Sequence, residues 1–195
     1  MKLYYADHFV LPLPAGHRFP MEKYAQLRAR LAASGLFGAD DFRVPAPASE
    51  TEVLRAHDAS YFDEMRSGRI GAAQMRRIGF PWSAGMVERS LRSAGATLAA
   101  CRSALAAENG VACAANLAGG THHAHRDFGA GFCVFNDAAI AALAMRAEGR
   151  AERIAVIDCD VHQGDGTAAI LGGESGLFTF SMHGEKNFPF HKQRS

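Results

Sequence analysis

The most constraining feature of the chain is a change of apolar period near residue 111. Before it, apolar residues recur at helical steps. After it, apolar runs too short for helices alternate with helical stretches. Residues 111–117 are one such run, closed by Gly119-Gly120. Residues 154–157, inside RIAVIDCD, are a second, and residues 177–182 a third. Between them, residues 138–145 read as an alanine-rich helix capped by Asn136 or Asp137, and residues 166–171 as a short one. Parallel neighbours need a crossover, and crossover helices cover the sheet. Strand, helix, strand, helix, strand with short links therefore predicts an α/β chain with a parallel sheet and covered faces.

The N-terminal half predicts helices. Residues 21–34 carry apolar Tyr24, Leu27 and Leu31 between Pro20 and Gly35, which are start and stop signals. Ser49-x-x-Glu52 fits a capping box opening a helix through Leu54, and Asp58 caps another that ends near Gly68. From Ser83, apolar Val87, Leu91, Ala94, Leu98, Cys101 and Leu105 form one stripe, the mark of a helix packed on a sheet, with Asn109-Gly110 as its stop. Neither repeat nor linker interrupts the pattern, so 1–195 is expected to be a single domain.

With 21 basic and 20 acidic residues interspersed, the chain offers no electrostatic footprint for nucleic acid or an anionic membrane. Its apolar runs fall short of the roughly 18 residues needed to span a bilayer. Asp7 and His8 interrupt the N-terminus before a signal peptide could form. The four scattered cysteines read as reduced, mostly buried thiols. A cytoplasmic location is the expectation.

In parallel α/β sheets ligands collect beyond the carboxyl ends of the strands. Three polar clusters stand there: His122-His123; Asp158, Asp160, His162 and Asp165; and Ser181 with His183. In an extended segment Asp158, Asp160 and His162 would project together, and carboxylate plus imidazole is a partial zinc set. An Asx-rich turn is the plainer alternative. A calcium loop is not, because His162 and Ala169 replace the oxygen donors it requires. Adjacent histidines often mean nothing. After a strand and between glycines, though, two imidazoles could act as general base and acid if Asp158 and Asp165 fix their tautomers.

GGTHHAHRDFGAGFCVFND, VIDCDVHQGDGT and TFSMHGEKNFPF, in that order, resemble the signature segments of histone deacetylases and their bacterial relatives. HQG, in place of two adjacent histidines, is similar to the class IV branch. The resemblance implies a three-layer arginase/deacetylase-like α/β fold and a zinc-dependent hydrolase of N-acetyl amides. N6-acetyl-lysine of proteins, an acetylated polyamine or a small acetylated amide would be its substrate. It implies Asp160 and His162 as zinc ligands, and His122 and His123 as catalytic histidines backed by Asp158 and Asp165, with His123 the principal base. Gly131, Phe132 and Phe188 would line the acyl-lysine tunnel. Asp158, Asp160, His162, Ser181 and Met182 would form a monovalent cation (K+) site. Phe132 and Phe188 as ordinary core aromatics is the competing reading.

The family also uses a downstream aspartate as third zinc ligand and a later tyrosine on the oxyanion, and neither is found here. The expectation is therefore an incomplete domain, its C-terminal part missing, with a half-covered sheet open to homo-oligomer formation. Its alternative is a non-catalytic remnant. A two-manganese ureohydrolase ranks last, since it needs more carboxylates than the chain offers.

Overall fold

The computed structural model describes residues 1–106 and 113–194. The expected helix stop at Asn109-Gly110 and the start of the run at Val111 lie outside them. Two parallel sheets are present. In the first, β1 (Lys2–Tyr4) lies between β2 (Phe42–Arg43) and β3 (Ala114–Asn116). In the second, β4 (Ile154–Asp158) pairs with β5 (Leu177–Ser181) in a register that sets Asp158 opposite Ser181.

Helices follow the local signals. Helix α1 spans Lys23–Ala33. At α2 (Glu50–Val53) the capping box is complete: Ser49 Oγ accepts from the Glu52 amide, and Glu52 accepts from the Ser49 amide at 2.7 Å. Helix α3 (Ala59–Ser67) ends on left-handed Gly68, and α4 (Ala72–Ile78) on left-handed Gly79. The Asp58 side chain makes no cap bond to α3, although the residue occupies the N-cap position. The long α5 (Ala84–Leu105) is capped by Ser83, whose Oγ accepts from Met86 N at 3.0 Å. Its stripe buries Val87, Ala94 and Leu98, packing α5 on α6 (Asp137–Ala147) and on β1 and β3. Helix α7 (Asp165–Leu171) joins β4 to β5. No helix among the described residues is long and apolar enough to cross a membrane.

Three expectations need correction. Of the two expectations for the sheet, covered faces and a half-covered sheet, the first fails, because the β4–β5 sheet is covered on one side only. Ile154, Val156 and Leu177 pack on the core, whereas Ile157, Phe178 and Phe180 are exposed at 59%, 59% and 46%. Strand side chains alternate, and α6 and α7 lie on one face, so every second residue faces outward. Moreover, β3 and β4 share no ladder among the described residues, so the strands form two sheets rather than one. Finally, the cysteines are not mostly buried: Cys113 and Cys159 are exposed, Cys101 is half-buried and Cys133 buried. Cys159 faces out because its neighbours Asp158 and Asp160 turn toward the site.

Candidate active site

The GGTHH loop leaves β3 and is gripped by the start of α6. Asn136 is the cap, accepting from Ala139 N at 3.0 Å. Asp137 instead reaches back to the loop, accepting from Thr97 Oγ1, Gly120 N, Thr121 N and Thr121 Oγ1 at 2.6–3.1 Å. Four donors around one buried carboxylate hold the loop rigid. Asn136 continues the brace, its Nδ2 donating to Ala124 O at 3.0 Å.

His122 and His123 project from this loop, ring centroids 4.2 Å apart. His122 Nδ1 donates to Asp158 Oδ2 and His123 Nδ1 to Asp165 Oδ1, both at 2.6 Å. Each carboxylate fixes a tautomer with the proton on Nδ1 and leaves Nε2 as the free nitrogen. Burial opposes the charged form of His122, but the hydrogen bond to Asp158 and the charges of Asp158, Asp160 and Asp165 outweigh it, so its pKa is raised. Burial likewise opposes ionisation of Asp158 and Asp165, yet their histidine bonds hold both below the usual carboxylate range. Gly164 permits the His122–Asp158 approach, since a Cβ there would stand 2.3 Å from Asp158 Oδ2.

The segment after β4 does not stay extended as expected. It bends through two successive Asx turns: Asp160 N donates to Asp158 Oδ1 at 2.9 Å, and His162 N to Asp160 Oδ1 at 2.7 Å. The Asx turns are present, and the second brings His162 Nδ1 to 3.0 Å from Asp160 Oδ1. Both side chains are about half exposed and reach the cavity described next.

That cavity, of about 680 Å³, is lined by His122, His123, Gly131, Phe132, Asp160 and His162, with Phe188 at its wall. Gly131 has φ +54°, and a Cβ there would lie 2.6 Å from His123 Cδ2 and 3.3 Å from Phe188 Cε1. Phe132 is the one non-glycine residue with positive φ among the described residues (+67°). The Ile78 carbonyl at the end of α4 holds its amide at 2.7 Å. Phe132 packs against Phe19 and Phe80 at 5.0 and 5.1 Å while lining the cavity, so it is both core aromatic and wall. Phe188 meets the His123 ring edge to face at 4.9 Å.

At the remaining positions, Ser181 Oγ lies 2.9 Å from His183 Nδ1 and accepts from Gly164 N at 3.4 Å. Met182 N donates to Asp158 O at 2.9 Å. His125 was given no role by sequence reasoning. It stacks on Phe128 at 4.3 Å and bonds the second oxygen of Asp165 at 3.2 Å through Nε2. Its signal was the third histidine of HHAH.

Zinc bonds of about 2.0 Å to oxygen and nitrogen in a tetrahedron give a donor–donor edge of roughly 3.3 Å. Asp160 Oδ1 and His162 Nδ1 approximate one such edge. Among the described residues no cluster of three or more acidic, histidine or cysteine side chains is arranged for a metal, so a closed protein site is not present there.

The histone deacetylase domain model matches residues 17–195. The chain is 34% identical over 178 residues to a histone deacetylase-like amidohydrolase of Pseudomonas aeruginosa, covering 91% of itself and 47% of that protein. It is 44% identical over 191 residues to an uncharacterised Picosynechococcus protein, covering 98% and 62%. Among solved structures, an HDAC homolog from Aquifex aeolicus superimposes with TM-score 0.76 at 26% identity, over 98% of this chain and 53% of that one. The chain thus spans about half to three-fifths of the length of these relatives.

Proposed function

Because the chain belongs to the histone deacetylase family, we propose that it carries the catalytic-histidine half of a zinc-dependent deacetylase of N-acetyl amides. N6-acetyl-lysine or a small acetylated amine is the substrate. One observation carries this reading: the histidines of two histidine–aspartate pairs, each bonded at 2.6 Å, share a cavity with an adjacent aspartate–histidine couple.

The roles follow from which atoms are free. Asp160 and His162 would hold the zinc, which when bound supplies Lewis-acid polarisation of the acetamide carbonyl and of water. His123 Nε2 takes the proton from water, because Asp165 orients its ring and stabilises the positive charge it gains. His122, whose raised pKa favours the protonated form, stabilises developing negative charge and returns a proton to the leaving amine. Gly131, Phe132 and Phe188 form an apolar wall suited to a thin acyl-amine chain. Asp158 and Ser181, at the joined ends of β4 and β5, with Asp160, His162 and Met182 beside them, would hold a monovalent cation such as K+ behind the dyad.

A second reading is favoured by the metal-donor count among the described residues: the chain is a non-catalytic remnant of the family that does not turn substrate over. Zinc titration against a chelator of known affinity, on wild type and His162→Ala, tests the first. Binding of one zinc per chain that the substitution abolishes supports it. Identical titrations for both proteins overturn the ligand assignment.

A further inference from the structure

The cavity wall carries a charge pattern that the chemistry above does not use. Arg18, Lys23, Arg77 and Arg89 all line it, against a single carboxylate, Asp160. The whole chain, by contrast, has a net charge of only +1. The side-chain cation–carboxylate pairs of the described residues fall on Arg28, Arg66, Arg92, Arg102, Arg146 and Arg150. None of the four cavity cations is among them.

Each of the four sits over an aromatic face instead. The Arg18 guanidinium lies 4.9 Å from the Phe132 centroid and that of Arg77 4.5 Å from Phe128. Lys23 Nζ lies 5.1 Å from Tyr24, and the Arg89 guanidinium 4.7 Å from the same ring. Stacking of this kind fixes the head group in place while leaving its N–H donors free. Arg89 is the least exposed of the four, at 9%, and its guanidinium, held over the Tyr24 ring, lines the cavity without an ion-pair partner among the described residues. Donors that face the cavity without a protein acceptor are available to a carboxylate of the ligand.

We propose that this cavity selects an acetylated amine bearing or flanked by carboxylates and disfavours acetylated polyamines. The proposal rests on the deacetylase reading of the same site. Arg18, Lys23 and Arg77 are exposed at the mouth, whereas the carboxylates of Asp137, Asp158 and Asp165 stand behind the histidines and the glycine loop, so groups flanking the acetylated amine meet the cations first. A polyamine would bring further positive charge toward them. A carboxylate would meet donors already in position, at no cost in ordering the side chains.

The test is fluorescence anisotropy with the full chain and two labelled N6-acetyl-lysine peptides, identical except for aspartate or arginine flanks. N8-acetylspermidine and Nα,Nε-diacetyl-lysine serve as small competitors of opposite charge. The aspartate-flanked peptide should bind on the order of tenfold more tightly at low salt. That advantage should shrink severalfold near 0.5 M salt, where the screening length falls to about 4 Å. Displacement by diacetyl-lysine but not by acetylspermidine extends the result to small substrates. The double variant Arg18→Gln/Lys23→Gln, whose side chains sit at the cavity rim, should lose most of the preference. Arg89→Met removes the buried charge and should reduce it further, with thermal melting as the check that the variant is folded. Equal affinity for the two peptides, tighter binding of the arginine-flanked one, or binding of neither at millimolar concentration overturns the proposal. An unacetylated aspartate-flanked peptide that binds as well as the acetylated one would uphold the charge selection and overturn the deacetylase reading.

Discussion

His57 follows α2 and is 3% exposed. Its ring lies 5.5 Å from Phe135 and 5.9 Å from Tyr61, and its Nε2 accepts from Asn136 N at 2.9 Å. No partner meets Nδ1 at hydrogen-bonding geometry. Burial pushes its pKa from 6.5 down to about 4, with the backbone groups of His125 and Arg126 pulling weakly the other way. Between those two values the unfolded chain binds a proton that the folded chain refuses. Stability from this residue is therefore fully present above pH 6.5, is lost as pH falls toward 4, and is constant below that. At about 1.4 kcal/mol per pH unit, the interval corresponds to about 3 kcal/mol. His122, with its raised pKa, contributes in the opposite sense: its stabilisation is complete below 6.5 and lost as pH rises through its folded value. Asp158 and Asp165 lose theirs mainly below 3.8, outside the window. His57→Gln keeps an acceptor for the Asn136 amide and leaves those other groups in place. Urea denaturation of both proteins from pH 7 to about 4 isolates the effect. Wild type should lose about 3 kcal/mol more than the variant across that range. Parallel curves would refute the claim that His57 is held neutral by burial.

Three further outcomes follow from the same contacts. Asp165→Asn weakens the acceptor on His123 Nδ1, so the far-downfield imidazole proton expected of a 2.6 Å bond should move upfield by proton NMR while that of His122 remains; an unchanged spectrum contradicts the pairing. Asn136→Ala removes the α6 cap and the brace to Ala124, which should cost about 2–3 kcal/mol in urea unfolding; a loss below about 0.5 kcal/mol would mean the brace is idle. Gly95→Ala places a Cβ 2.0 Å from the Ala46 carbonyl oxygen, where α5 meets the chain before α2, and should destabilise by about 2 kcal/mol or more by the same measure.

What the sequence disclosed about this fold and site tracks the range of the interactions involved. The α2 capping box, the Ser83 cap of α5 and the glycine stop of α3 each depend on residues within four positions, and local pattern suffices to read them. Strands β1 and β2 are three and two residues long, too short for any period, and exist because Leu3 pairs with both Phe42 and Ala115 across long stretches of chain. The same division runs through the site. Asp160 and His162 are two residues apart and form their couple by a local turn, so the spacing points to it. The strained backbone of Phe132 is held by the Ile78 carbonyl, and the second grip on Asp165 comes from His125, forty residues away. The cavity charge shows this most clearly. Arg18, Lys23, Arg77 and Arg89 are scattered through three separate segments of a nearly neutral chain. Composition averages them away, and only packing gathers them on one wall. A site's donors can therefore be legible in sequence while its selectivity is not, since selectivity here depends on which side chains the fold brings to the rim.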